Sequence, residues 1–457
     1  MNERKYLKWY NKVGYGSGDV AGNVVYAFLS SFVMIYLTDT IGLNAGIVGT
    51  LMMVSKLFDG FTDIFFGSLI DKTKTKMGKA RPWMLWAFFG CFATLIAIFA
   101  IPVSLGETAK YAWFFIAYTL LNAVFFTANN IAYSALTSLI TRNSGERVQM
   151  GSIRFMFAFG TSMLIQYITV NAVQAFGGGA SGWRTVAILY AIIGVIVNTI
   201  SVMSVKELPE EENNANGEMI SLEKGAKESE KYRLKDAICL LAANKFYLII
   251  CCIYILTQIF TATLNMGVYF MTYILGDATL LGVFSLAINI PLIAGLIFTP
   301  ILVKKLNGMY WLNLGGYIVA AAARGMVIVA GYMGSLPLML LFSGIASIGM
   351  SPLQGDLNAL IASCSEYTFL TKHKRIDGTM FSCTSLGVKI GGGIGTALAG
   401  WLLAASGYIA KAPEQAQSCI NMLYFMYLWV PMIINVIILI LLFLLKVEQA
   451  NAQLQER

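Results

Sequence analysis

Asp59 and Asp63 stand four residues apart in "SKLFDGFTDIFFGSLIDKTKTKMGKARPW", a segment that begins at Ser55 inside an apolar run. At that spacing both side chains leave one face of a helix, with Lys56 a turn before Asp59. Two carboxylates side by side in a low-dielectric site repel, and a bound cation or a proton relieves the repulsion. Sodium is a hard cation that takes oxygen ligands, so carboxylates with nearby hydroxyls and amides suit it. A proton relay uses the same groups. The bland reading is a structural network in which Lys56 neutralises one aspartate and the other faces a wet cavity. A charge at the bilayer centre costs about 3 kcal/mol on the lenient insertion scale, and intramembrane acids usually mark an ion or substrate path.

Other polar residues fall in equally apolar surroundings. In "FFTANNIAYSALTSLIT", Thr127, Asn130 and Ser134 follow at i, i+3 and i+7. They can complete an oxygen shell or serve as interhelical hydrogen bonds. Arg154, in "GSIRFMFAFG", and Lys389, in "SLGVKIGGGIGTALAG", come from different halves of the chain and would face a shared cavity where the halves meet. Snorkelling explains an arginine near a helix end, but hardly Lys389 in mid-span. The glycines after Lys389 permit close helix packing. Tyr26, Tyr133 and Trp401 can stack on a sugar ring, although most aromatics of such a chain face lipid.

These residues need helices that cross a bilayer. The 457 residues are 57% hydrophobic and only 12% charged, about half the charge of soluble proteins. A span needs ~20 apolar residues, and twelve runs qualify, at about 20–37, 46–70, 83–102, 111–138, 151–174, 185–205, 246–275, 280–302, 311–333, 336–363, 378–405 and 420–445. Such lengths exclude barrel strands. The expected class is therefore an all-α membrane protein with two six-helix halves. Placing the N-terminus in the cytoplasm puts 25 of the 32 Lys and Arg on that side, so both termini are expected there. The net charge of +8 is thus membrane topology, and no nucleic acid is expected. The polar, basic N-terminus reads as no signal peptide. Seven cysteines without CxxC spacing and a single histidine, His373, leave little room for a metal or nucleophile site built on them.

The hydrophilic stretch 206–245 divides a bundle over 1–205 from one over 246–445, with a tail at 446–457. Its end, "KYRLKDAICLLAANK", suits a short amphipathic surface helix. "VGTLMMVSKLFDGFTDIFFGSLIDKTK" and "LGVFSLAINIPLIAGLIFTPILVKKLN" align without a gap. This echo supports two parallel repeats with a substrate site between them near the midplane. Leu292 and Leu296 match Asp59 and Asp63, so the carboxylates belong to one half alone.

"NKVGYGSGDVAGN", "MIYLTDTIGLNAGIVGTL", "KLFDGFTDIFFGSLIDKTKTKMGKARPW", "NNIAYSALTSLIT", "SEYTFLTKHKRIDGTMFS" and "SGYIA" resemble the glycoside–pentoside–hexuronide:cation symporters of the major facilitator superfamily. The likeness covers nearly the whole chain outside the central loop and tail. It implies a twelve-helix facilitator fold and sugar uptake driven by sodium or protons. It places Asp59 and Asp63 at the cation pair, with Thr62 and Thr127 beside them and Arg154 and Lys389 in the sugar and cation cavity. Asn23 and Asn130 stand where galactoside-carrying members have aspartates; asparagines at both places, and "GYGSGDVAGN", look more like glucuronide-carrying members. Ser134 replaces a tryptophan, and Ser363 an aspartate usual in the family. Asp71, in "DKTKTKMGKARP", resembles the superfamily's conformational loop; its ordinary reading is a helix-end carboxylate near lysines.

The expected function is cation-coupled symport of a glycoside, pentoside or hexuronide by alternating access. The cation site is Asp59, Asp63, Thr62, Thr127 and Asn130; Asn23, Asn130, Tyr133, Arg154 and Lys389 hold the sugar. The protein is expected in the cell membrane, as a monomer without cofactor, its partners a sugar, a monovalent cation (Na+ or H+) and lipid. A membrane enzyme acting on glycosides is the rival, but glycosidase carboxyls flank a bond ~5–9 Å apart in an aqueous cleft. An uncoupled uniporter or channel would need no coupling carboxylates.

Overall fold

Apolar runs become helices here because lipid offers no water to satisfy a backbone, so each span must close its own hydrogen bonds. The computed structural model describes residues 5–141, 143–208, 241–306, 308–372, 377–410, 412 and 414–455. Through the first half of the chain run α1 (Trp9–Gly16), α2 (Gly18–Ile35), α3 (Ala45–Lys72), α4 (Arg81–Phe99), α5 (Glu107–Thr119), α6 (Thr127–Ile140), α7 (Ser144–Ala175) and α8 (Gly179–Ser204). The second half supplies α9 (Lys245–Asn265), α10 (Gly267–Tyr273), α11 (Leu280–Lys305), α12 (Tyr310–Tyr332), α13 (Leu336–Lys372), α14 (Asp377–Ala405), α15 (Gln417–Tyr424), α16 (Val430–Leu444) and α17 (Val447–Gln455). Three π-helical segments interrupt this pattern, at Tyr36–Thr40, Leu120–Phe126 and Phe425–Trp429.

Among the described residues, eleven helical runs are long and apolar enough to cross a membrane. The twelfth expected span is α3, whose 28 residues reach about 42 Å. Its intramembrane Lys56, Asp59 and Asp63 make it less apolar than the other eleven. The fold is thus the expected all-α membrane fold with twelve spans. Residues 209–240, which hold most of the 206–245 linker and of the expected surface helix, lie outside the described residues, as do Arg142 and the His373–Lys374–Arg375 stretch.

The chain packs as two units. The first comprises Met1–Asn216, Asn265–Val283 and Thr396–Leu423; the second comprises Gly217–Leu264, Phe284–Gly395 and Tyr424–Arg457. The first unit therefore draws two stretches from the second half of the sequence. Asp39, at the end of α2's π extension, accepts hydrogen bonds from the Tyr408 hydroxyl and, at 2.6 Å, from the Tyr273 hydroxyl. Thr38 meets the Tyr269 hydroxyl at 2.8 Å. Close backbone approach does the same for α14: a Cβ at Gly400 would stand 2.5 Å from the Ala45 carbonyl oxygen, as small-residue helix contacts in membranes require.

A carboxylate caps one helix in each unit by the same device. Glu207, just after α8, accepts from the N–H groups of Lys79, Ala80 and Arg81 at 2.7, 2.9 and 3.0 Å, the exposed N-terminus of α4. Gly78 precedes them at φ +112°, where any Cβ would strike the Glu207 carboxylate. In the second unit Glu448, on α17, takes the N–H of Met309 and of Tyr310 at 3.0 and 2.9 Å, with Gly308 before them at φ +153°. The second unit also holds Arg324, which is 3% exposed, over the Phe260 ring at 5.1 Å.

Candidate functional site

The asparagine at position 44 opens α3 by accepting from Gly46 N–H at 2.9 Å, which sets the phase of the helix that carries the acids. Asp59 and Asp63 are both half-buried on it, as is Lys56, and Lys56 lies within electrostatic reach of Asp59. Asp59 Oδ1 accepts a hydrogen bond from the Thr127 hydroxyl of α6. Thr127 is itself buried and also donates to the Asn122 carbonyl, five residues back, at 2.7 Å. That reach is possible because Leu120–Phe126 is π-helical. Such segments widen the helix and recur at functional sites. The Thr62 hydroxyl turns back to the Asp59 carbonyl at 3.1 Å. Ser55, one turn before Asp59, is fully buried, and its hydroxyl has no hydrogen-bond partner among the described residues.

One turn beyond Thr127, Asn130 and Tyr133 enter the wall of a cavity of about 250 Å³. From α2 the wall receives Asp19, Asn23 and Tyr26, and Phe126 closes one side. Tyr26 and Phe126 lie nearly parallel, 6.5 Å apart. Gly18 also lines it; a Cβ there would stand 2.9 Å from the Tyr133 ring, so only glycine lets α2 and α6 approach this closely. Asn23 donates to the Asp19 carbonyl at 2.8 Å and accepts from Ser162 at 3.2 Å.

Arg154 on α7 reaches this cluster. Its Nε donates to Asp19 Oδ2 at 2.6 Å, and its guanidinium lies 4.0 Å over the Tyr133 ring. The Tyr133 hydroxyl donates to the Tyr15 carbonyl at 2.8 Å and to Asp19 Oδ2 at 3.2 Å. Asp19 was missing from the sequence-derived set. Its signal was an acid in the first turn of the first apolar run, inside the quoted "GYGSGDVAGN".

The structure thus joins Asp59 of α3 to Thr127 of α6, with Thr62 and Asp63 on the next turn of α3, and sets Asn23, Asn130 and Tyr133 around one cavity, with Arg154 held against Asp19 and Tyr133 of its wall. Lys389 lies half-buried on α14 in the second unit. There the following glycines do pack closely: a Cβ at Gly391 would sit 2.9 Å from Ile255 Cα, and one at Gly395 2.9 Å from Ile259 Cα. Trp401 spends its indole N–H on Thr50 Oγ1 at 2.8 Å. Asp71 falls in the last turn of α3; its side chain lies outside the described residues. Chemically, the arrangement offers a protonatable, oxygen-rich pair on α3 and, one turn along α6, a polar cavity with an aromatic wall.

Comparison with known proteins agrees. A family model described as "MFS/sugar transport protein" matches residues 14–449. The isoprimeverose transporter of Lactiplantibacillus pentosus is 27% identical over 94% of this chain and 87% of its own length. An inner membrane symporter of Escherichia coli K12 is 24% identical over 92% of this chain and 88% of its own. The glucuronide carrier protein homolog of the same strain is 26% identical over 90% and 86%. Among solved structures, the partially occluded inward-open xylose transporter of Escherichia coli superposes with a TM-score of 0.63 at 12% identity, covering 97% of this chain and all of that one.

Proposed function

Because the chain belongs to the MFS/sugar transport protein family, and is a multi-pass membrane transporter rather than an enzyme, we propose that it carries a glycoside or related sugar together with a monovalent cation by alternating access. One observation carries the coupling: Thr127 bonds Asp59, and the same helix places Asn130 and Tyr133 in the cavity wall one turn on. A cation bound or released at Asp59 is then felt at the sugar through α6. Coupling of this kind is a reciprocal free energy, so sugar raises cation affinity as much as cation raises sugar affinity.

In this reading Asp59, Asp63, Thr62 and Thr127 hold the cation, sodium or a proton, with Asn130 between the two sites. Asn23, Tyr133 and Arg154 hold the sugar, and Lys389 on α14 is the further basic residue assigned to it. Asp71 acts in the conformational change. The symporter name of a relative and the acids on α3 support coupling over a uniporter. Excess Lys and Arg in the loops supports a cell-membrane protein with both termini cytoplasmic; the carrier in this reading acts as a monomer. A cysteine placed at Asn216 should then be unreactive towards an impermeant reagent outside intact cells; labelling there would overturn the orientation. The function itself is tested by a sugar screen in vesicles, with and without a sodium or proton gradient. Sugar uptake stimulated by one of the gradients is expected, and uptake indifferent to both would contradict symport.

A further inference from the structure

Relatives at similar identity carry, by their names, a glucuronide in one case and isoprimeverose in another, so sequence similarity does not separate acidic from neutral sugars. The cavity does. We propose that this site selects a neutral glycoside or pentoside and discriminates against hexuronides, resting on the sugar-transport reading above.

Three observations lead there. Asp19 is the charged residue of the cavity lining; the rest of the wall is amide, aromatic or glycine. Arg154, the base that would greet a uronate, already gives its Nε to Asp19 Oδ2 at 2.6 Å and its face to Tyr133 at 4.0 Å. The Nη groups of Arg154 remain as donors, but a substrate carboxylate bound by them would lie beside the Asp19 carboxylate that Nε already holds, and like charges at close quarters are costly. Lastly, the hydrogen bonds to the Asp19 carboxylate fall on Oδ2, while Oδ1 makes none among the described residues. The group therefore keeps an acceptor for a sugar hydroxyl, with Asn130 as donor or acceptor and the Tyr26–Phe126 wall for the ring face. A polyol fits this lining better than an anion does.

The test compares matched pairs that differ only at the sugar's C6, the nitrophenyl glucosides and galactosides of both anomers against the corresponding uronides, as competitors for binding to the purified full chain in vesicles. The neutral member of a bound pair should win by about tenfold or more, the value of one charge contact. Asp19→Asn should weaken the neutral member by a similar factor and narrow or reverse the preference, since Arg154 is then released. A wild-type preference for any uronide over its neutral twin overturns the proposal while leaving sugar transport standing. Failure of the folded chain to bind any pair overturns this inference for hexosides, while sugar transport stands on the family assignment. The wild-type comparison needs no variant, so a poorly folded Asp19→Asn protein does not blunt the test.

Discussion

The hydroxyl of Thr127 has one proton and two acceptors, Asp59 Oδ1 and the Asn122 carbonyl. A proton or a sodium ion arriving at Asp59 would compete for the same oxygens and shift the hydroxyl towards Asn122, which ties this contact to the occupancy of the proposed cation site. A second carboxylate works outside the spans. Glu146 accepts from Tyr6 N–H and Leu7 N–H, both at 3.2 Å, and from the Thr141 hydroxyl at 2.6 Å, with Lys12 Nζ 3.2 Å away. Burial works to raise its carboxyl, yet Thr141, the two N–H groups and Lys12 outweigh it and hold the group below the ordinary glutamate range. Because the folded value is depressed, this anchor's contribution is present above the unfolded-state value of about 4.3 and drains away as pH falls through the folded one. Hydrogen-exchange protection at Tyr6 and Leu7 should therefore hold at neutral pH and fall in acid. Glu146→Gln should lower it at neutral pH to about the acid level of the wild type and remove the dependence; an unchanged profile would contradict the assignment.

At the scale of elements, the helix ends carry more than the sequence discloses. Glu207 and Glu448 sit at the edges of hydrophilic stretches, where a glutamate looks like any solvated charge. Each in fact neutralises the N-terminus of a helix from its own half, over a glycine of positive φ. Negative charge at such an end is worth about 0.3–1 kcal/mol when exposed and up to about 2 when partly buried. Glu207→Gln keeps an acceptor and loses the charge, so thermal stability in detergent should drop by about 1 kcal/mol or the corresponding few degrees. No shift would mean that the cap is geometric only. The acids of α3 were legible for the opposite reason, since charge stands out in an apolar run. Asp19 and Asp39 were less legible because both lie near the ends of the first span, where polar residues are ordinary. The π segment that brings Thr127 within reach of Asn122 has no composition signal of its own: "LLNAVFF" reads as any apolar turn. Arg154 was found, but its partner was not, and the partner changes what the arginine can do for a substrate.

The molecule as a whole has two halves in sequence and two units in space that do not coincide. Twelve spans were readable from hydropathy and loop charge. The recruitment of 265–283 and 396–423 into the first unit was not, because it rests on hydroxyl contacts to Asp39 and on glycine approaches such as Gly400 that periodicity does not encode. The matching caps of Glu207 and Glu448 add structural support for a repeat, whereas the acid pair belongs to the first half only. In the proposed reading that asymmetry puts the driving ion on one half. The account is tested most directly by sugar accumulation in sealed vesicles under an imposed sodium or proton gradient, wild type against Asp59→Asn. Wild type should concentrate sugar above the outside level, and Asp59→Asn should lose all uphill accumulation while still exchanging sugar at equal concentrations. An Asp59→Asn carrier that still concentrates sugar, or a wild type that only equilibrates it under either gradient, would contradict the account.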